Sequence, residues 1–327
     1  MSNNSALFVV GSPLQAICAC EAIHHYKFQD FKIVVAKTNS RSKQVTDYLS
    51  EIGMPYTTVQ IKHPRLAGYW GHISVFNIFK RKFDCLFLGD YRMTLYKLLY
   101  LQYVKNNGKV NYLDDGNYIL LHANGMLKRK PVMRFRDNLF EMVAKCRGIS
   151  TNNYFTFYAD DLTNTSWNVE KNMFSCLQSS NKSIGKVVYI VGTNTTVYCD
   201  FLGISDSSFQ EKQRQLFDYI KCNHSDCMVF YFPHGRDLCK DNKTSCEKNG
   251  VIFSPIDKCL ELYSLQQEVI PVAIYGYTST ALYTLHLFFP DTKVVNVSFS
   301  GNNTNGVEAY EKIVETYNNK GIPTIKI

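Results

Sequence analysis

The sequence predicts an α/β protein with two Rossmann-like domains that face a central cleft. Short apolar runs alternate with helical patterns in both halves of the 327-residue chain, and this alternation is typical of parallel sheets joined by helical crossovers. A stretch rich in Ser, Asn and Thr, from about residue 160 to residue 186, separates the two series and is typical of a connecting loop. We therefore predict one domain over residues 1–180 and a second over residues 181–327.

The first half begins with a buried strand at residues 6–10, a tight turn at Gly11-Ser12-Pro13 and a helix that continues to Ile23. Proline suits a helix start because the N–H that it lacks would have no partner there. The same apolar patterns predict four more strands and two more helices in this half. The strands are expected at residues 31–36, 56–61, 83–88 and 109–113, and the helices at 42–52 and 93–106.

The second half repeats the arrangement of a strand followed by glycine. An apolar run at residues 186–191 ends at Gly192, as the run at 6–10 ends at Gly11. Further strands are expected at residues 227–232, 251–253, 269–275 and 293–297, and helices at 209–222, 255–266, 281–288 and 307–318. Both halves thus have the pattern of an open parallel sheet.

The composition is that of a folded protein in a reducing compartment. Apolar residues make up 45% of the chain and aromatic residues 14%, which is enough for a packed core. Eleven cysteines are scattered without regular spacing, as is typical of reduced thiols in the cytoplasm. No apolar run approaches the roughly 18 residues that span a bilayer, and no signal peptide is evident. We predict a cytoplasmic protein.

The net charge of +8 favours an anionic partner. The second of two basic patches interleaves with apolar residues, so it could rest on the anionic leaflet of the inner membrane or be the solvated face of an ordinary helix. Because the charge is confined to these patches and no recognition-helix pattern is present, we predict no nucleic-acid partner. The patches are residues 80–82 and the group Lys128, Arg129, Lys130, Arg134, Arg136, Lys145 and Arg147.

Two carboxylates and a glycine, Asp114, Asp115 and Gly116, directly follow the strand predicted at residues 109–113. Open α/β sheets bind ligands at the carboxyl ends of their strands, and two neighbouring acids can take different protonation states there. A solvated turn would have the same sequence, since glycine readily adopts the conformations of turns. Adjacent side chains of an extended chain point to opposite sides, which disfavours chelation of one metal ion by both acids.

Two further polar groups follow predicted strands in the second half. His234 comes after the strand at 227–232 and could protonate a phosphate near neutral pH, with Arg236 beside it, or simply cap a loop. Hydroxyls at a helix start can bind an anion without a metal, although an ordinary N-cap has the same sequence. These hydroxyls are Thr278, Ser279 and Thr280, which follow Gly276.

No metal site and no complete dinucleotide fingerprint are predicted. Cys222, His224 and Cys227 supply fewer ligands than the four of a structural zinc site. The chain also contains neither a Walker A sequence nor a full Gly-x-Gly-x-x-Gly motif.

The order of these three motifs resembles that of the bacterial sialyltransferases and polysialyltransferases, which share a D/E-D/E-G motif, an HP motif and a paired Ser/Thr motif. His234 lies about 120 residues after Asp114, and Ser279 about 45 residues after His234. The chain is most similar in size to the group of the lipooligosaccharide sialyltransferases (glycosyltransferase family 52), and the resemblance extends from residue 6 to about residue 290.

The resemblance implies a GT-B-like fold and an inverting, metal-independent sialyltransferase without a cofactor. Such an enzyme moves sialic acid from CMP-sialic acid to a galactoside or sialoside hydroxyl of a bacterial surface glycan, in lipooligosaccharide, O-antigen or capsule. Residues 1–180 would then form the acceptor-side domain and residues 181–327 the CMP-sugar-binding domain.

The resemblance also implies residue roles. Asp114 would be the general base with Asp115 in support, and His234 would contact the donor phosphate and protonate the departing CMP. Other donor-binding residues would be Ser279, Thr280, Thr278, Gly276, Gly192 and Arg236, with Glu261 first and Asp257 second as candidates for the ribose. Gly11, Ser12, Pro13, Gln15, Asp90 and Tyr91, in segments that also resemble the group, would lie on the acceptor side.

One motif departs from the group, because His234 is followed by Gly235 instead of proline, and glycine loosens the loop. Related enzymes transfer other sugars, so a GT-B glycosyltransferase that uses CMP-Kdo or a UDP-hexose is an alternative. A basic nucleotide- or nucleic-acid-binding module is the alternative outside the enzymes. The expected partners are CMP-sialic acid, a glycan or glycolipid acceptor and, through the basic segments, the inner membrane; a homodimer is left open.

Overall fold

The computed structural model describes residues 4–37, 41–60, 79–90, 94–126, 131–162, 166–177, 182–237, 239, 241–299 and 307–327. The chain divides into two compact units, Met1–Cys176 and Leu177–Ile327. The division falls inside the stretch rich in Ser, Asn and Thr. Each unit is built around its own open parallel sheet.

The first unit contains a seven-stranded sheet in the order β3-β2-β1-β4-β5-β6-β7, and all neighbouring strands are parallel. The strands are β1 Ser5–Val10, β2 Asp30–Lys37, β3 Tyr56–Gln60, β4 Phe83–Leu88, β5 Val104–Leu113, β6 Ser150–Thr156 and β7 Asn168–Lys171. The described helices are Pro13–His25, Arg41–Glu51, Thr94–Tyr103, Tyr118–Ala123 and Pro131–Cys146. The strand order reverses between β1 and β4, which is where doubly wound sheets bind ligands.

The core of this unit is centred on β1, in which all six residues are buried. Such a continuous apolar run is expected of a central strand covered on both faces. Phe8 stacks on Phe87 of β4 with ring centroids 4.5 Å apart. The following helix begins at Pro13, with the Ser12 hydroxyl accepting a hydrogen bond from the Gln15 amide as N-cap.

The second unit contains a six-stranded parallel sheet in the order β10-β9-β8-β11-β12-β13. Its strands are β8 Ser183–Val191, β9 Met228–Phe232, β10 Ile252–Phe253, β11 Val269–Gly276, β12 Lys293–Ser298 and β13 Thr324–Lys326. The described helices are Thr195–Leu202, Asp206–Asn223, Asp241–Lys248, Leu260–Gln266, Thr280–Phe288 and Val307–Asn319. Here the order reverses between β8 and β11.

The predicted fold class, an α/β protein with two Rossmann-like parallel sheets, is confirmed, with differences at single elements. The helix predicted to continue to residue 106 ends at Tyr103, and β5 starts at Val104. Asn107 has φ +60°, and a Cβ at Gly108 would lie 2.7 Å from the Asp84 carbonyl oxygen. This segment therefore suits the beginning of a strand and not a helix. The elements that were not predicted from the sequence are β6, β7, β13 and the helices at 118–123, 195–202 and 241–248. The helix at 131–146 lies in the second basic patch, for which a helix was one of the interpretations.

No helix among the described residues is long and apolar enough to cross a membrane. The helix Pro131–Cys146 exposes Phe135, Leu139 and Met142, while Lys128, Arg129 and Lys130 of the second basic patch lie outside the described residues. Contact with a membrane through this patch stays a prediction.

Candidate active site

Asp114 lies at the carboxyl end of β5, and its side chain is fully buried. Its Oδ1 accepts a hydrogen bond from the Thr156 hydroxyl, and its Oδ2 accepts one from the Phe157 amide at 3.1 Å. The Cys18 thiol lies 3.8 Å from Oδ2. Burial raises the pKa of Asp114 to about 7; the hydrogen bonds act in the opposite direction, and the charge of Asp115 adds to the increase. This carboxyl group therefore titrates near neutral pH.

A second layer of buried polar groups holds the partners of Asp114. The Thr156 hydroxyl accepts a hydrogen bond from the Tyr158 amide at 3.0 Å, and the Asn172 amide group lies 3.5 Å from the Cys18 sulfur. Thr156 and Asn172 are both buried. The sequence analysis missed these two residues because they belong to the end of β6 and the segment after β7, two strands too polar to be recognised by hydropathy.

Asp115 is half-buried and is held by Gln15. Gln15 Nε2 donates to Asp115 Oδ1 at 2.7 Å, while Gln15 Oε1 accepts from the Gly11 amide at 2.7 Å. A Cβ at Gly89, directly after β4, would lie 2.4 Å from this Oε1, so only glycine leaves room for the glutamine here. The structure thus brings Gly11, Gln15 and Asp115 together at the ends of β1, β4 and β5.

The remaining residues that were predicted on the acceptor side lie near the same sheet edge or outside the described residues. Ser12 and Pro13 form the N-cap and first residue of the helix that carries Gln15. Asp90 is half-buried and follows Gly89 after β4. Tyr91 lies outside the described residues, and its predicted role stays a prediction.

In the second unit, His234 follows β9 in a loop that is fixed by hydrogen bonds to buried side chains. The Arg236 amide donates to His234 Nδ1 at 3.2 Å, so Nδ1 is an acceptor and the proton of the neutral ring lies on Nε2. Asp237, which the sequence analysis missed, accepts hydrogen bonds from the Asn242 side chain at 2.6 Å and from the Thr195 amide and hydroxyl at 3.3 Å each. Both partners are buried, and they tie the loop to the starts of the helices Thr195–Leu202 and Asp241–Lys248.

Two residues that were predicted on the donor side, Arg236 and Gly192, flank this loop. Arg236 is exposed, and its carbonyl accepts a hydrogen bond from Asn194 at 3.3 Å. The Gly192 amide donates to the Phe232 carbonyl at 2.8 Å, and a Cβ at Gly192 would lie only 2.8 Å from that oxygen. The ends of β8 and β9 therefore meet closely, as the strand-then-glycine pattern indicates.

The hydroxyl residues after β11 form a strained turn. Thr278 has φ +48°, a conformation that β-branched residues rarely adopt. Asn296 of β12, fully buried, accepts hydrogen bonds through Oδ1 from the Thr278 amide at 2.7 Å and from its hydroxyl at 3.1 Å. Ser279 caps the helix Thr280–Phe288 by accepting from the Ala281 amide at 3.3 Å. Asn296, which the sequence analysis missed, therefore fixes the turn that presents this helix start.

Gly276 and Glu261 lie beside this turn. A Cβ at Gly276 would come within 2.9 Å of the Val191 side chain, so glycine allows β11 to approach the end of β8. Glu261 is buried, and its Oε1 accepts from the Thr284 hydroxyl at 3.1 Å, one turn into the helix that starts at Thr280. Asp257 is exposed, and no hydrogen bond or ion pair of the described residues connects it to this group.

The described residues contain no group of three or more His, Cys, Asp or Glu side chains arranged to hold a metal ion. The polar groups of each unit gather instead at the carboxyl edge of its sheet. This placement agrees with the general location of ligand sites in open α/β folds.

Comparison with known proteins bears on the fold. No protein-family model matches the chain, and no curated protein sequence matches it. The GT-B domain of the sialyltransferase from Photobacterium damselae is similar in structure, with a TM-score of 0.54 and 11% identity over 98% of this chain and 99% of that one. The fold is of the GT-B type.

Two further solved structures show the same likeness. One is the UDP-GlcNAc 2-epimerase from Neisseria meningitidis bound to UDP-GlcNAc, with a TM-score of 0.50 and 12% identity over 97% of this chain and 91% of that one. The other is Staphylococcus aureus MnaA with UDP, with a TM-score of 0.52 and 11% identity over 96% and 87%. At such identities the likeness is one of fold, and the membership in the lipooligosaccharide sialyltransferase group stays a prediction.

The raised pKa of Asp114 predicts a pH-dependent stability. An unfolded aspartate titrates near pH ~3.9, so between that pH and about 7 the folded protein retains a proton that the unfolded chain has lost. The free energy of unfolding therefore falls as the pH rises through this window and levels off above it. Relative to Asp114→Asn, the wild type should lose roughly 1.4 kcal/mol per pH unit in the middle of the window. Urea unfolding of the wild type and of Asp114→Asn from about pH 4.5 to about pH 8 measures this change. If their unfolding free energies differed by the same amount at every pH, the prediction would be contradicted.

The strained turn predicts energetic coupling between Asn296 and Thr278. Asn296→Ala removes the Oδ1 that accepts from both the amide and the hydroxyl of Thr278 and should destabilise the protein by about 1–3 kcal/mol. The same substitution should cost less in a Thr278→Gly background, because glycine adopts a positive φ without support. Urea unfolding of the two single variants, the double variant and the wild type gives the coupling energy. Equal costs in both backgrounds would show that Asn296 does not hold the turn.

Proposed function

We propose that the chain is an inverting, metal-independent sialyltransferase that moves sialic acid from CMP-sialic acid to a galactoside or sialoside hydroxyl of a bacterial surface glycan. The observation that carries the proposal is the buried carboxyl group of Asp114 at a strand end of a GT-B-type fold, with a pKa of about 7. The order of the three motifs and the fold of the Photobacterium damselae sialyltransferase support the sugar and the reaction.

The first unit supplies the acceptor half of the proposed reaction. A carboxyl group with a pKa near 7 is ionised in a large share of molecules at neutral pH and still basic enough to take a proton, which is the compromise that favours general bases. Asp114 removes the proton of the acceptor hydroxyl while the oxygen of that hydroxyl bonds to the anomeric carbon. Such a base contributes on the order of 10²–10⁴-fold. Asp115 accepts a hydrogen bond from Gln15 and supports the loop that carries Asp114.

The second unit supplies the donor half. As the bond from the anomeric carbon to the phosphate oxygen breaks, its electron pair leaves with CMP and negative charge grows on the phosphate. His234 carries its proton on Nε2 because Nδ1 accepts from the Arg236 amide, so Nε2–H is the ring donor that we assign to that phosphate. Ser279 uses its oxygen as the N-cap acceptor, which leaves its hydroxyl hydrogen for the same charge. Fixed donors of this kind are usually the largest catalytic contribution.

The ribose contact is proposed for Glu261. Its Oε1 is occupied by Thr284, so its second oxygen is the one offered to a ribose hydroxyl. Asp257 is the second candidate. Because it is exposed, it would contact the ribose only when the donor is bound. Thr280 completes the phosphate cradle, and Thr278, whose amide and hydroxyl donate to Asn296, holds the shape of its turn.

A GT-B glycosyltransferase that uses a UDP-sugar is the second candidate. The observation in its favour is that two structures with a similar fold contain UDP-GlcNAc or UDP. The two candidates share the general base and the helix start. They differ in the nucleotide that the second unit binds, which is a cytidine monophosphate in one and a uridine diphosphate in the other.

Loss of the general base, or of the hydrogen-bond donor to the phosphate, should slow transfer strongly. We expect Asp114→Asn to lower kcat by about 10²–10⁴-fold and His234→Ala by about 10²–10³-fold, with the fold intact by circular dichroism. Product formation from CMP-sialic acid and lactose, with the anomeric configuration read by NMR, is the measurement. Asp226→Asn and His24→Ala, at exposed positions, are the matched controls and should retain activity.

Asp115→Asn decides which carboxylate meets the acceptor, because Asp114 is fully buried and Asp115 is half-exposed. The proposal expects a moderate loss of activity in this variant and the larger loss, about 10²–10⁴-fold in kcat, in Asp114→Asn. The reverse order would transfer the role of base to Asp115, and a retained anomeric configuration would refute the inverting mechanism.

The nucleotide that stabilises the fold should identify the donor. A ligand that binds the folded state raises its stability by mass action, by about 2.7 kcal/mol at a hundredfold excess over Kd. We expect CMP to raise the melting temperature more than UDP does, and transfer to continue in the presence of EDTA. A larger shift with UDP would favour the UDP-sugar candidate, and loss of activity in EDTA would contradict metal independence.

A further inference from the structure

A groove of about 470 Å³ lies over one face of the first sheet, across strands β4 to β7. Tyr26 and Phe28, which follow the helix Pro13–His25, border it with their rings. The volume falls in the range of roughly 300–1,000 Å³ that is usual for small-molecule sites. None of the residues assigned above to acceptor or donor lines this groove.

Three asparagines form a row across the floor of the groove. Asn111 of β5 is in register with Asn153 of β6, and Asn153 is in register with Asn168 of β7. Paired residues of parallel strands lie on the same face of a sheet about 4.8 Å apart, so the row presents amide groups over about 10 Å. Phe87 of β4 continues the row on its other side.

Asn111 is the amide that is offered to a ligand. Its side chain is only 6% exposed, lines the groove and has no hydrogen-bond partner among the described residues. Its neighbours are already bonded: Asn153 Nδ2 donates to the Val110 carbonyl at 2.9 Å, and Asn168 Nδ2 donates to Asn153 Oδ1 at 3.2 Å. The amide therefore offers N–H donors and a carbonyl acceptor to a polar group that binds in the groove.

The chemistry of the groove suits an uncharged sugar better than an ion. The carboxylates at its rim are paired, Asp84 with Lys105 at 2.9 Å and Glu170 with His25 at 2.7 Å. Lys109 adds one exposed ammonium group to the lining. An asparagine both donates and accepts, as each hydroxyl of a sugar does. The rings of Tyr26 and Phe28 add an apolar wall for the C–H face of such a ligand.

We propose that this groove binds an uncharged hexose or N-acetylhexosamine unit through the Asn111 amide. Where that sugar belongs to the acceptor glycan, the inference rests on the proposed function. Asn111 lies three residues before Asp114 on β5, which is about 10 Å along a strand. A sugar held in the groove would therefore anchor the glycan near the carboxyl edge, where its reacting hydroxyl is deprotonated.

Saturation-transfer NMR on the full chain tests the groove, with lactose and N-acetyllactosamine as probes and no donor present. Asn111→Leu keeps a similar volume and removes the amide, and we expect about tenfold weaker binding because a sugar hydroxyl loses its partner. Asn111→Asp, which keeps the shape and removes the N–H donors, replaces it if the leucine variant does not fold. Asn223→Leu, at an exposed helix end of the second unit, is the matched control and should bind as the wild type does.

Equal binding by the wild type and the Asn111 variants would overturn the proposal, as would a folded wild type that binds neither probe. Asp114→Asn separates the groove from the strand end: binding that persists in this variant supports the groove, and binding that is lost places the sugar at the strand end and refutes it. Sugar binding that depends on Asn111, without any transferase activity, would leave the groove standing and remove the proposed function.

Discussion

The burial of the Asp114 carboxyl group is the constraint on which the first unit depends. An ionised carboxylate without partners in an apolar interior carries a large free-energy cost, and the donors that reduce it come from distant parts of the chain, the Cys18 thiol and the Thr156 hydroxyl. The sheet order places the ends of β1, β5 and β6 on one edge, and this order is what makes the contacts possible. The donors hold the charge without returning the pKa to its ordinary value.

The second unit meets a different constraint, because it fixes backbone instead of burying charge. Asp237 collects donors from the elements around the His234 loop, and Asn296 holds Thr278 at a positive φ. Strained conformations persist only where the surroundings determine them strongly. A rigid cradle suits a step in which charge develops on a leaving phosphate, since dipoles fixed in advance need no reorganisation when the charge appears.

The sequence predicted the ends of β5, β9 and β11, and with them the positions of Asp114, His234 and the hydroxyl turn, because apolar runs and glycines are local signals. Thr156, Asp237 and Asn296 escaped prediction for one shared reason. Each acts on a residue that the fold brings near it, and a hydrogen bond to Asp114 from a residue 42 positions away leaves no local pattern. The role of Gln15 became specific only when its side chain was seen to join Gly11 to Asp115.

The polarity that hid two strands from hydropathy has a structural reason. β6 and β7 have the sequences STNNYFT and NVEK, in which Asn153 and Asn168 occupy face positions that an ordinary core would fill with apolar side chains. Successive residues of β5 lie on opposite faces of the sheet. Tyr112 packs on the Tyr154 ring with centroids 5.8 Å apart, whereas Asn111 belongs to the row of asparagines on the other face. Departures from local rules concentrate at functional sites. The same residues that made these strands unrecognisable as core strands therefore mark the face of the sheet that is built to contact a polar ligand.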